Sequence, residues 1–150
     1  MENRFLSRAK RIDNGEWVQG NLIWSSDAEV GYEAIIIPTN DSNMYTKGVS
    51  RGDLGFENWH RVNETTICQC TGLKDKNGKL IWENDVCDRK EQYPEIVEYR
   101  DGDWTLDYSY ASHKESGTCY CNLGFYVKER KCIEVIGNIF DNPELLEVQK

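Results

Sequence analysis

Six cysteines and two histidines are the side chains best suited to metal or nucleophilic chemistry. They stand as Cys68-x-Cys70, Cys87, Cys119-x-Cys121 and Cys132, with His60 and His113. Residues two apart on a strand share one face. Two facing Cys-x-Cys strands therefore bring four thiolates together, as tetrahedral zinc requires. Zinc knuckles, however, use two to four intervening residues in a tight turn, and a single intervening residue on extended chain splays the sulfurs apart. A reducing cytosol argues against disulfides. The expectation is buried thiols acting as small apolar side chains, with no metal and no cofactor. A cysteine hydrolase needs a thiolate, a histidine and an orienting group. His60 lies between Trp59 and Arg61, and His113 lies in a polar stretch. Neither neighbours a nucleophile elbow or a glycine-rich phosphate loop. No catalytic residue is expected. The alternative is a cysteine- or metal-dependent enzyme in which a cleft brings one of these histidines to a thiol.

The carboxylates are as unspecific as the thiols. Asp101-Gly102-Asp103 reads as a turn, because the other ligands of a calcium loop are absent. Lys74 to Lys79 reads as a charged hairpin tip. Acidic residues number 26 against 18 basic ones, a formal charge of −8 spread over the whole chain. Such a surface repels phosphate backbones, and no basic cluster is denser than Arg8-Ala9-Lys10-Arg11. Nucleic-acid binding is not expected. An acidic inhibitor of a host defence protein remains an alternative, although mimicry of nucleic acid calls for acids in runs. The longest apolar run, Ala34 to Pro38, falls far short of the roughly 20 residues of a membrane helix. No apolar stretch follows Met1-Glu2-Asn3-Arg4, so no signal peptide is read and a cytoplasmic location is expected.

The elements that must position these groups are strands. The 150 residues suit one domain or one domain with a satellite, and mean hydropathy is −0.70. Five tryptophans, eight tyrosines and four phenylalanines exclude intrinsic disorder. Short apolar runs alternate with Asn14-Gly15, Asn77-Gly78 and Asp101-Gly102, dipeptides that take the positive φ of tight hairpins. The fold class expected is mainly β. Strands are predicted near 65–71, 80–87, 95–100, 104–110, 118–127 and 132–140, preceded by a hairpin and a strand over 33–37. Asn142-Pro143-Glu144 predicts a short C-terminal helix with Asn142 as its cap. Two subdomains, 1–64 and 65–150, are read with a join near Asn63-Glu64. Residues 39–58 form a long loop anchored by Tyr45, Leu54, Phe56 and Trp59, and a loop of that length is usually functional. Tyr45, Phe56, Trp59 and His60 are the candidate interface.

Three blocks carry a family resemblance. Thr71-Gly72-Leu73 through Asn77-Gly78-Lys79-Leu80-Ile81-Trp82 to Asp85-Val86, the C-terminal Glu134 to Leu146, and the opening Lys10 to Gly20 together resemble the YopX family of bacteriophage and prophage proteins. The chain departs from the family pattern at Cys68, Cys70, Asn84 and Cys87. The resemblance implies a C-terminal SH3-like small β-barrel, a phage or prophage origin and plausible self-association, and it carries over no catalytic residue. The function expected is therefore a non-enzymatic accessory protein that forms a homo-oligomer or binds a host or phage protein.

Overall fold

The computed structural model describes residues 3–25, 33–40, 44–45, 55–111 and 120–147. The chain divides into one unit of Phe5–Gln69 and a second of Met1–Arg4 with Cys70–Lys150. Among the described residues the regular structure is mainly β, and every strand pairing is antiparallel.

The N-terminal unit holds β1 (Ser7–Lys10), β2 (Trp17–Trp24), β3 (Ala34–Pro38), β4 (Met44–Tyr45), β5 (Gly55–Phe56) and β6 (His60–Arg61). Its sheet runs β6-β3-β2-β1, and β1 goes on to pair with Cys68 and Gln69. The β1–β2 hairpin turns at Asn14-Gly15, as the sequence predicts. The Asn14 Oδ1 accepts the Glu16 N–H at 2.9 Å, and the Arg11 N–H donates to the Glu16 carbonyl at 2.9 Å. One face of the sheet buries Ala9, Ala34, Ile36 and Val62, with Val18, Leu22 and Ile67 packed beside them. Trp17 lies on the other face, with the Arg8 guanidinium 4.7 Å and the Lys10 ammonium 5.5 Å from its ring centre. Gly20 sits where β2 meets β3 so closely that a Cβ would fall 2.0 Å from the Ile37 carbonyl oxygen. Within the stretch expected to be a loop, β4 and β5 pair through Met44–Phe56 and Tyr45–Gly55. Residues 41–43 and 46–54 of that stretch lie outside the described residues.

β7 (Cys68–Lys74) leads into the C-terminal unit, which contains β8 (Leu80–Trp82), β9 (Asp85–Asp88), β10 (Glu95–Arg100), β11 (Asp103–Asp107), β12 (Tyr120–Asn122) and β13 (Glu134–Asn138). A five-stranded sheet runs β12-β11-β10-β9-β13. It packs a core of Ile81, Cys87, Val97, Leu106, Leu123, Ile133 and Val135. Asp101 at φ +51° and Gly102 at φ +87° form the two-residue turn between β10 and β11. Two successive positive φ angles match the right-handed twist of the flanking strands.

Three expectations are corrected here. The SH3-like barrel is not closed among the described residues, because β12 and β13 are the two edges of the sheet and do not pair. The strand expected over 118–127 stops at Asn122, whose side-chain oxygen accepts the Phe125 N–H at 2.7 Å. That local cap competes with the sheet and starts α1 (Leu123–Phe125), which runs into a π-helical turn, Tyr126–Arg130, ended by Lys131 at φ +50°. At the C-terminus the helix is a single 3-10 turn, Pro143–Leu146, without a side-chain cap. The Asn142 Oδ1 accepts instead from the Asn138 N–H at 3.3 Å, over Gly137, where a Cβ would meet it. No described helix is long and apolar enough to cross a membrane.

Candidate functional site

The tip of the β1–β2 hairpin and the start of β6 meet in the N-terminal unit. Ile12, Asp13, Trp59, His60 and Arg61 line one hollow of about 230 Å³. The Ile12 N–H donates to the Arg61 carbonyl at 3.0 Å, which fixes the hairpin tip against β6. Ile12 is 57% exposed and Trp59 is 45% exposed. Arg11 holds Asp13 through a bidentate pair, Nε to Oδ1 at 2.9 Å and Nη2 to Oδ2 at 2.5 Å. This hydrogen bonding, helped by the positive charge of Arg11, holds the Asp13 carboxyl below its ordinary range.

A larger groove of about 530 Å³ shares Ile12 and Arg61 with that hollow. Its walls carry the cations Lys10, Arg11 and Arg61 and the acids Glu33 and Glu64. A hydrogen bond to Glu33, and then that neighbour's negative charge, push the Glu64 carboxyl up from its ordinary value. Glu64 is placed by the 3-10 turn Glu64–Thr66, capped by Asn63, whose Oδ1 accepts the Thr65 N–H at 3.0 Å. Thr66 returns the turn to β1 by accepting the Lys10 N–H at 2.9 Å.

Of the four residues the sequence nominates, Trp59 and His60 come together in the hollow. Phe56 is half-buried on β5, and the Tyr45 side chain lies outside the described residues. Ile12, Asp13 and Arg61 complete the hollow and escape a reading by strand pattern, although an isoleucine at a hairpin tip is the one visible signal. Among the cysteines, Cys68, Cys70 and Cys87 are buried and Cys121 and Cys132 are half-buried, all five as free thiols. Burial pushes the Cys87 thiol well up, and Asp85 adds to the rise. Cys119 and His113 lie outside the described residues. Among the described residues no group of three or more histidines, cysteines or carboxylates is placed to hold a metal ion.

The model of the family described as YopX protein matches residues 7–147. The chain belongs to the YopX family. Its fold is similar to the crystal structure of protein EF1440 from Enterococcus faecalis, at 27% sequence identity and a TM-score of 0.56, covering 94% of this chain and 96% of that one. No curated protein matches it. In this YopX member the Thr71–Val86 block is a folding motif. Thr71 Oγ1 donates to the Ile81 carbonyl at 2.8 Å and accepts the Leu73 N–H at 3.1 Å, bracing an irregular β7–β8 register. Asp85 Oδ2 accepts the Trp82 N–H at 2.8 Å across the Glu83-Asn84 turn. The Glu134–Leu146 block does the same around Asn138, whose Oδ1 accepts the N–H groups of Phe140 at 3.0 Å and Asp141 at 2.9 Å.

Proposed function

We propose that this YopX protein is a non-enzymatic interaction module of the phage or prophage cycle, and that it pairs with a second copy of itself through the Ile12–Trp59 face of its N-terminal unit. The observation that carries the reading is the exposure of Ile12 and Trp59 around one hollow, flanked by a groove whose walls hold both signs of charge. Exposed aromatics ringed by polar groups mark protein interfaces. An isologous dimer sets one patch against itself, so that patch must carry cations and acids together. Lys10, Arg11 and Arg61 beside Glu33 and Glu64 meet that requirement. The burial of Cys68, Cys70 and Cys87 supports the non-catalytic reading of those thiols.

Sedimentation velocity over the micromolar range tests the assembly. The expected result is a dimer that dissociates in Trp59→Ser and Ile12→Ser, while Tyr99→Ser, an exposed residue of the other unit, leaves it intact. A monomer at high micromolar concentration overturns the reading. So does a dimer indifferent to Trp59 and Ile12.

A further inference from the structure

A second hollow, of about 170 Å³, opens in the C-terminal unit between the β9–β10 connection and the end of β11. Beside it lies a buried ion pair, Arg89 with Glu95. Glu95 is 2% exposed. Its Oε1 accepts the Arg89 Nε–H at 2.5 Å, whereas no described residue donates to the buried Oε2. A carboxylate withdrawn from water with one oxygen unanswered is costly as an ion. What keeps it ionised is Arg89.

Arg89 also joins that carboxylate to two later elements. Its Nη2 donates to Cys121 Sγ on β12 at 3.5 Å, and the guanidinium lies 4.2 Å from the centre of the ring of Tyr126, the first residue of the π-helical turn. Its Nη1 donates outward to Glu91 Oε1 at 3.3 Å. The Glu91 side chain is 59% exposed against 12% for Arg89. Arg89 is thus held between a buried carboxylate and an exposed one. The other groups around Glu95 do not replace it. Cys87 faces Glu95 across the β9–β10 pairing, Tyr110 acts on it from beyond β11, and Tyr93 and Tyr108 complete the hollow with phenol rings. The carboxylates of Glu91 and Asp107 oppose its charge, and Asp107 keeps Arg100 Nη2 for itself at 3.3 Å.

We propose that Arg89 is a latch operated by protonation of Glu95: once the carboxylate is neutralised, the guanidinium withdraws to Glu91 at the surface and uncovers Cys121 and the Tyr126 ring. The sign follows from the two states. With Arg89 in place, its positive charge favours the ionised carboxylate; with Arg89 withdrawn, burial acts unopposed and the proton is held more tightly. Withdrawal therefore takes up a proton, and falling pH favours it. Burial already outweighs Arg89 and raises the Glu95 carboxyl above its ordinary 4.5, so the step falls in mild acid. A raised folded pKa contributes stability that is full below the unfolded value and is lost as pH rises through the folded one, so this proton opens the latch without unfolding the chain. The latch lies within the C-terminal unit and stands whether or not the protein dimerises.

Nuclear magnetic resonance titration of the full chain from neutral pH to below 4.5 tests the proposal. The Glu95 carboxyl carbon, the Arg89 Nε–H and the Tyr126 ring protons are expected to move together, with one midpoint above 4.5. Arg89→Gln is expected to raise the Glu95 midpoint by about one pH unit, the tenfold tighter proton binding of a carboxyl that has lost its cation. Glu95→Gln is expected to show the acid-form signals of Arg89 and Tyr126 already at neutral pH. There it is also expected to speed alkylation of Cys121 about tenfold over the wild type, the scale of one weakened charge-assisted bond, with Cys132 unchanged. Arg89 and Tyr126 signals that stay still while Glu95 titrates, a Glu95 midpoint unmoved or lowered in Arg89→Gln, or a Cys121 no more reactive in Glu95→Gln overturns the proposal. So does a transition at Tyr126 that persists in Glu95→Gln, which would belong to Glu91 or Asp107 instead.

Discussion

The Asp75 carboxylate accepts the backbone N–H of Val135, 60 residues away in sequence, at 3.0 Å through Oδ2. Its other oxygen accepts the N–H groups of Asn77 and Lys79, each at 2.9 Å. One buried side chain thereby closes the β7–β8 hairpin and ties it to β13. Burial alone would raise the Asp75 pKa, but the donors at Val135, Lys79 and Asn77 outweigh it and hold the group below its ordinary 3.8.

Asp75→Asn is expected to lose about 2 kcal/mol of unfolding free energy at neutral pH, the scale of a lost hydrogen bond to a charged acceptor. Because the folded pKa is depressed, the wild-type advantage is present above the unfolded value and is lost as pH falls through the lower folded one. Urea unfolding at neutral pH and again well below 3.8 should show the gap closing. A gap that ignores pH would count against the charge-based account.

Gly20→Ala is expected to destabilise the N-terminal unit by about 1–3 kcal/mol, the usual cost of forced overpacking. The obstacle is backbone, since the new Cβ would lie 2.0 Å from the Ile37 oxygen. Thermal unfolding measures the loss. An unchanged melting temperature would mean that β2 and β3 separate more easily than their five-residue pairing, Gly20–Pro38 to Trp24–Ala34, implies.

Glu64→Gln removes one charge of the hydrogen-bonded Glu33–Glu64 pair. A modest rise in melting temperature is expected at neutral pH, vanishing in acid. In the wild type the raised pKa of Glu64 means that its contribution is full below the unfolded value and is lost as pH climbs through the folded one. Melting curves across that range check the sign.

Lys131 carries a left-handed backbone at φ +50° where the π-helical turn ends. Lys131→Gly relieves a strain of about 1–2 kcal/mol, partly offset by the greater freedom of glycine in the unfolded chain. A net gain of about 0.5 kcal/mol is expected in chemical denaturation.

Alkylation followed by peptide mapping should label Cys121 and Cys132 before Cys68, Cys70 and Cys87. The first two are half-buried and the other three are shut away from solvent, with the Cys87 thiol further disfavoured as thiolate. Early labelling of Cys87 would show that β9 opens locally.

The hairpins were legible because their turns admit few residues. Asp101-Gly102 announces itself by a backbone requirement that most residue pairs fail, and alternation of apolar residues located β10 and β11. The end of β12 was not legible. Tyr120-Cys121-Asn122-Leu123-Gly124-Phe125 has the apolar spacing of extended chain, and only the Asn122 cap bends it into a helical turn. Trp59 and His60 of the first hollow were legible as candidate contacts, but Ile12 beside them and Glu95 of the second were hidden for different reasons. Ile12 is apolar in a turn, where hydrophobic patterns are not sought. Glu95 occupies an inward position of β10, where a carboxylate in a sequence reads as surface.

Asn122 also has influence beyond its own turn. The residue before the bend, Cys121, and the first residue of the π-helical turn, Tyr126, both rest on Arg89, at 3.5 Å from Nη2 and 4.2 Å from the guanidinium centre. Arg89 in turn pairs with one oxygen of the buried Glu95 carboxylate and leaves the other without a hydrogen bond. A change of that single carboxamide can thus reach a buried ion pair whose own two members stay the same.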